Sequence, residues 1–181
     1  MNTMSCREYF LVLVALCCLS FAGPSAHAAD GEWTTVASAC VPDEDSVGIY
    51  QFEQARFEFS GASTDQIVAR CNITDPADLS GGNPGWSRMD VTYNDPDGFF
   101  SNSRVRVQLR RVHETTGASS TIATFDSNLF GIGQQLQFLD FAHAFNFRDY
   151  AYYLTILLDR TNASVGTTRI ERVRLWIPSV G

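Results

Sequence analysis

The chain contains no lysine. All 13 of its basic residues are arginines, which removes Schiff-base chemistry and the lysine of a phosphate-binding loop. Cationic charge is in deficit overall, since 20 aspartates and glutamates oppose those 13 for a formal net charge of -7. A surface of that sign repels phosphate backbones, so nucleic acid is not an expected partner. Histidine is equally sparse: beyond residue 28 only His113 and His143 remain. The first sits at the end of an arginine-rich strand and the second among phenylalanines, where turn or core roles are expected. No Gly-x-Ser-x-Gly elbow occurs, which leaves an α/β-hydrolase site without support. No apolar run approaches the roughly 20 residues of a bilayer-spanning helix. These absences leave no catalytic residue, no metal ligand and no cofactor to assign.

What is present begins with a leader. Arg7 precedes the apolar run FLVLVALCCLSFAG at residues 10–23, Gly23 and Pro24 break it, and Ala26-His27-Ala28 supplies small residues around a cleavage position. The expectation is a signal peptide over residues 1–28, cleaved near Ala28. Residues 29–181 then form a single domain, secreted or periplasmic, with no transmembrane segment. A short membrane anchor is the alternative, and the length of the run argues against it. Of five cysteines, only Cys40 and Cys71 follow the leader. In an oxidising compartment they are expected to form a disulfide, worth about 3 to 4 kcal/mol in the chain-entropy picture; two buried free thiols are the alternative.

Period-two alternation dominates the rest. In QARFEFS (54–60) Ala55, Phe57 and Phe59 share a face, and in SRVRVQLR (103–110) Val105, Val107 and Leu109 alternate with Arg104, Arg106, Gln108 and Arg110. Further strands are expected at 32–38, 65–71, 87–93, 119–125, 135–147, 151–158 and 168–177, the fifth of these with a bulge near Leu139. Gly- and Pro-rich clusters separate them. About nine short strands and no convincing helix predict an all-β fold, an antiparallel β-sandwich of jelly-roll type.

Four features invite chemistry. The acidic stretch NDPDG (94–98) fails the EF-hand template, because the first and twelfth positions fall on Tyr93 and Arg104. Its expected role is a turn leading to a strand near Ser103, with no bound metal; a different calcium geometry through Asp95 and Asp97 is the alternative. Asp43, Glu44 and Asp45 form the other acidic cluster, read as a solvated loop. Asp140, isolated in an apolar run, suits either a carboxylate pair for glycoside hydrolysis or a strand-end aspartate bonded to backbone. In TRIERVRLWI, Arg172, Arg174 and Trp176 alternate with Val173, Leu175 and Ile177, which places a tryptophan beside two arginines on the outer face of a sheet. There Trp176 can stack on a sugar ring while the arginines donate hydrogen bonds. Alternatively a loop covers it and the arginines pair with acidic neighbours.

Cys40-Val41-Pro42 after a leader, a second cysteine closing a strand, Tyr93-x-Asp95-x-Asp97-Gly98, Asp126-Ser127-Asn128, the phenylalanine-rich run and Tyr152-Tyr153 together resemble a group of uncharacterised secreted bacterial all-β proteins. The resemblance implies export and an all-β fold and carries no substrate, cofactor or catalytic residue. The expected function is a secreted, non-catalytic sandwich binding carbohydrate or another surface ligand through Trp176, Arg172 and Arg174. A structural or protein-interaction component of the envelope or extracellular matrix is the alternative, and an enzyme of unrecognised type stands third.

Overall fold

The computed structural model describes residues 31–75 and 83–178. The leader at 1–28 and part of the Gly-rich turn before residue 83 lie outside them. The described residues form eleven strands: β1 (Trp33–Val36), β2 (Val41–Pro42), β3 (Tyr50–Glu53), β4 (Arg56–Phe59), β5 (Asp65–Ile73), β6 (Arg88–Asp95), β7 (Ser103–His113), β8 (Ser119–Asp126), β9 (Gly133–Asp140), β10 (Tyr150–Arg160) and β11 (Arg169–Trp176), with four single-turn 3-10 segments between them.

Sheet A has the order β3-β4-β11-β6-β9 with β1 also on β11, and sheet B has the order β2-β5-β10-β7-β8. Every pairing is antiparallel. Strands from opposite ends of the chain are nested: β4 with β11, β5 with β10, β6 with β9 and β7 with β8. That is a long hairpin rolled into two sheets, which is the jelly-roll sandwich expected from the sequence.

Alternation explains why each strand lies as it does. From sheet A, Phe57, Phe59, Met89, Val91, Tyr93, Ile170, Val173 and Leu175 point inward; they meet Ile67, Ala69, Val105, Val107, Leu109, Leu154, Ile156 and Leu158 of sheet B. Cys40 and Cys71 form a disulfide with Cα atoms 4.5 Å apart. It ties the start of β2 to β5, whose pairing runs Val41 to Arg70 and Pro42 to Ala69. A closed dithiol of this kind belongs to oxidising compartments.

Three expectations need correction. The strand expected over 135–147 ends at Asp140, with no bulge at Leu139. Its ladder partner β6 begins at Arg88, so beyond Asp140 only one further bond forms, from Phe141 N to Ser87 O at 2.8 Å. The following rings leave the sheet and close the end of the sandwich: Phe145 packs edge-on against Trp86 at 5.0 Å and against Tyr152 at 4.9 Å. The expected strand at 54–60 is only the second leg of a hairpin whose first leg, β3, is a four-residue strand that the expected set lacks. The irregularities in register fall instead at Leu109/Arg110 and at Ile170/Arg172.

Candidate functional site

The outer face of sheet A is built from rungs that cross β11, β6 and β9. Trp176 lies opposite Arg88 and Arg88 opposite Asp140; Arg174 opposite Asp90 and Asp90 opposite Phe138; Arg172 opposite Thr92 and Thr92 opposite Leu136. On the other side of β11, Thr34 and Val36 of β1 continue the second and third rungs. The structure therefore brings Trp176, Arg174 and Arg172 onto one face, as their spacing requires.

Their surroundings differ. Arg174 binds Asp90 through Nη2 at 2.6 Å and Nε at 3.1 Å and reaches Glu32 at 3.3 Å. Its guanidinium also lies 4.4 Å from the Trp176 ring. Arg88 grips Asp140 with two bonds, at 2.6 and 2.9 Å, while sitting 4.1 Å above Phe138 and 5.8 Å from Trp176. The hydrogen bonds from Arg88 hold the Asp140 carboxyl below the usual carboxylate range, and the same bonds raise Arg88. Arg172 has no ion-pair or hydrogen-bond partner among the described residues. Trp176 is half-buried, with Nε1 enclosed and unpartnered among the described residues.

Besides Val36 of β1, 42% exposed, two apolar side chains stand on this face where polar ones are usual. Leu136 is 56% and Phe138 52% exposed, next to each other on the outer side of β9. Neither they nor Arg88 and Asp90 were among the residues singled out by sequence, because their place beside Trp176 depends on cross-strand register. The face sets Leu136 and Phe138 on β9 and Trp176 on β11 either side of the guanidinium of Arg88 and the carboxylate of Asp90 on β6. Such a surface can stack a planar or pyranose ring and bond the polar groups around its rim.

The other candidates have structural roles. Asp140 is paired to Arg88, not to backbone or a second carboxylate. β6 runs on to Asp95, and residues 96–102 connect it to β7 at Ser103. Asp95 is fully buried: Oδ1 accepts from the backbone N–H groups of Asp97 and Gly98 at 3.3 and 3.1 Å, and Oδ2 accepts from Ser127 Oγ at 2.5 Å. Asp97 accepts from the N–H groups of Asn102 and Ser103 at 2.9 and 3.1 Å. Every oxygen of the two carboxylates is thus engaged in shaping a turn. Burial raises the Asp95 carboxyl above its ordinary value. Gly98, at φ +63°, has the backbone N of Ile132 only 2.8 Å from where a Cβ would stand, so both the turn and the neighbouring loop require glycine.

Asp43 pairs with Arg70 at the rim of the Asp43, Glu44, Asp45 cluster. No group of three or more His, Cys, Asp or Glu among the described residues is arranged to hold a metal. His113 Nδ1 accepts from Thr115 N at 3.2 Å, and His143 Nε2 lies 3.2 Å from the Tyr152 hydroxyl. Burial, followed by the charge of Arg111, lowers His143 below the ordinary imidazole value.

No protein-family model and no curated protein sequence matches the chain. Solved structures overlap it loosely. The xylan-binding module CBM15 aligns at 13% identity and TM-score 0.46, covering 83% of this chain and 100% of that one. A xylan-binding module, CBM86, from Roseburia intestinalis aligns at 11% identity and TM-score 0.41, covering 82% and 96%. A family two carbohydrate esterase from Cellvibrio japonicus aligns at 12% identity and TM-score 0.38 over 83% of this chain. This chain spans only 36% of that esterase.

Proposed function

We propose that the protein is an exported carbohydrate-binding sandwich, with the outer face of sheet A as its sugar platform. Export follows from the leader, removed near Ala28, and the disulfide supports it. The observation that carries the binding reading is the exposed pair Leu136 and Phe138 on β9, with Arg88 standing between Phe138 and Trp176 and with Arg88 and Arg174 locked by carboxylates. A sugar ring offers an apolar C–H face to Phe138 and equatorial hydroxyls to the Arg88–Asp140 pair. Arg172 lies one rung further along and supplies a donor that no side chain occupies.

The fixed geometry matters. Guanidinium groups already held by Asp140 and Asp90 lose little further freedom when a ligand arrives, so more of the contact energy appears as affinity. The expected result is retention of the protein on insoluble xylan, mannan or cellulose. Phe138→Ala and Trp176→Ala should each weaken that retention about tenfold, corresponding to loss of a central aromatic contact. The competing reading is docking of envelope or matrix proteins along the β9 edge of sheet A, favoured by the same two apolar side chains on an edge strand. It predicts self-association by light scattering and no retention on any of the three polysaccharides, which would displace the sugar reading.

A further inference from the structure

The outer face of sheet B carries a different anomaly. Across β5, β10, β7 and β8 its rungs read Asn72, Tyr153, Arg110 and Thr121, then Arg70, Thr155, Gln108 and Thr124, then Val68, Leu157, Arg106 and Asp126. The far end is electrostatically closed. Arg104 pairs with Asp126, Arg106 with Asp159 at 3.1 Å, and Gln66 donates to Asp159 at 2.6 Å.

The first two rungs are open by comparison. Asn72, Gln108, Thr124 and Thr155 have no side-chain hydrogen bond among the described residues. Thr155 is only 6% exposed, a short side chain closed in by its neighbours. Its Oγ1 is enclosed and unpartnered, and the same holds for Nε of Arg106 and Nε of Arg110 on the adjoining strand. Three of the enclosed, unpartnered polar atoms in the described structure thus lie along one stripe. Buried polar groups without partners are rare, and each asks for a ligand or water to complete it.

The chemistry of that ligand follows from the groups left open. Two of the three atoms are obligate donors and Thr155 can donate as well, so the stripe calls for acceptor oxygens. Arg70 is neutralised by Asp43. Arg110 has only the Ser119 hydroxyl at 3.4 Å and the Tyr153 ring at 5.8 Å, with no carboxylate partner. Asn72 on β5, Tyr153 and Thr155 on β10 and Gln108 and Arg110 on β7 follow one another across three paired strands, a row that suits an extended chain rather than a compact ligand.

We propose that this stripe is a second binding site, independent of the sheet A platform, for a carboxylate-bearing polysaccharide. Its uronate oxygens meet Arg110 and its hydroxyls meet Gln108 and Asn72. The inference does not depend on the sugar reading of sheet A.

The test is titration calorimetry of the full chain with polygalacturonate, alginate, xylan and poly-L-glutamate at two salt concentrations. Polygalacturonate or alginate should bind, and more weakly at higher salt. Arg110→Gln should weaken that binding about tenfold, as loss of one charge-assisted contact requires. Gln108→Ala, on a half-buried side chain, should weaken it less and serves if Arg110→Gln fails to fold. Phe138→Ala on the other sheet should leave it intact. No binding of either polyuronate would overturn the proposal, as would binding that Phe138→Ala removes or that both sheet B variants leave unchanged. Equal binding of poly-L-glutamate would overturn it in favour of an acidic peptide.

Discussion

On the outer face of sheet A, Arg174 and Arg88 are bound by Asp90 and Asp140, and the groups left facing solvent are Leu136 and Phe138. On the outer face of sheet B the aliphatic side chains Val68 and Leu157 are half-buried, and Gln108, Asn72 and Thr155 are the groups without partners. Both faces belong to the same sandwich, cover the same core and obey the same alternation. They differ in what is left unpaired among the described residues: apolar side chains and one guanidinium, Arg172, on sheet A, and uncharged polar side chains with Arg110 on sheet B. Polar side chains on a sheet surface therefore say little about binding until their partners are counted.

If that contrast is real, truncating polar groups has opposite effects on the two faces. Asp90 is 6% exposed although it faces outward, because Arg174 closes over it. Asp90→Ala removes two of the bonds that hold Arg174 and leaves only Glu32. The expected loss is about 2 kcal/mol of unfolding free energy, within the usual range for a charge-assisted, partly enclosed bond. Urea unfolding measures it. A loss indistinguishable from zero would mean that sheet A is no better paired than sheet B.

Thr155→Val is the mirror experiment. The substitution preserves shape and strand preference while deleting an enclosed hydroxyl that has no partner. An unpartnered buried polar group costs stability, so the variant should gain about 1 kcal/mol, or roughly 2 to 4 °C in melting temperature. The same change should not strengthen ligand binding. A destabilised variant would show that the hydroxyl is already satisfied.

How much of this was legible beforehand follows from what period-two alternation can encode. It placed Val105, Val107 and Leu109 in the core and Arg104, Arg106, Gln108 and Arg110 outside, because β7 has one buried and one exposed face. It also put Arg172, Arg174 and Trp176 together. It is present in β3 too, where Tyr50 and Phe52 alternate with Gln51 and Glu53, but over only four residues, too short a run to mark a strand by itself. It misread residues 141–147, where Phe141, His143, Phe145 and Phe147 alternate without a neighbouring strand. A ring that packs against Trp86 and one that packs inside a ladder leave the same mark on a sequence. Phe138 beside Arg88, and Thr155 beside Gln108, depend on pairings between distant segments, which one sequence does not specify.

The smallest expected effect concerns acid. The hydrogen bonds from Arg88 hold the Asp140 carboxyl below its ordinary value near 3.9, so the folded state binds that proton less readily than the unfolded chain does. Stability from the pair is therefore fully present above the ordinary value and is lost as pH falls through the folded one. Asp140→Asn should lower the melting temperature by a small, constant amount between pH 5 and 7, and wild type and variant should converge in strong acid. Because the Asp140 side chain is 58% exposed, the gap should also narrow as salt is raised. Gln108→Ala on sheet B removes no titrating group, so any change it produces should be independent of pH over the same range. An Asp140→Asn gap that widens toward low pH would have the wrong sign for this pair, and Arg88 would have to be stabilised by something other than the carboxylate it contacts.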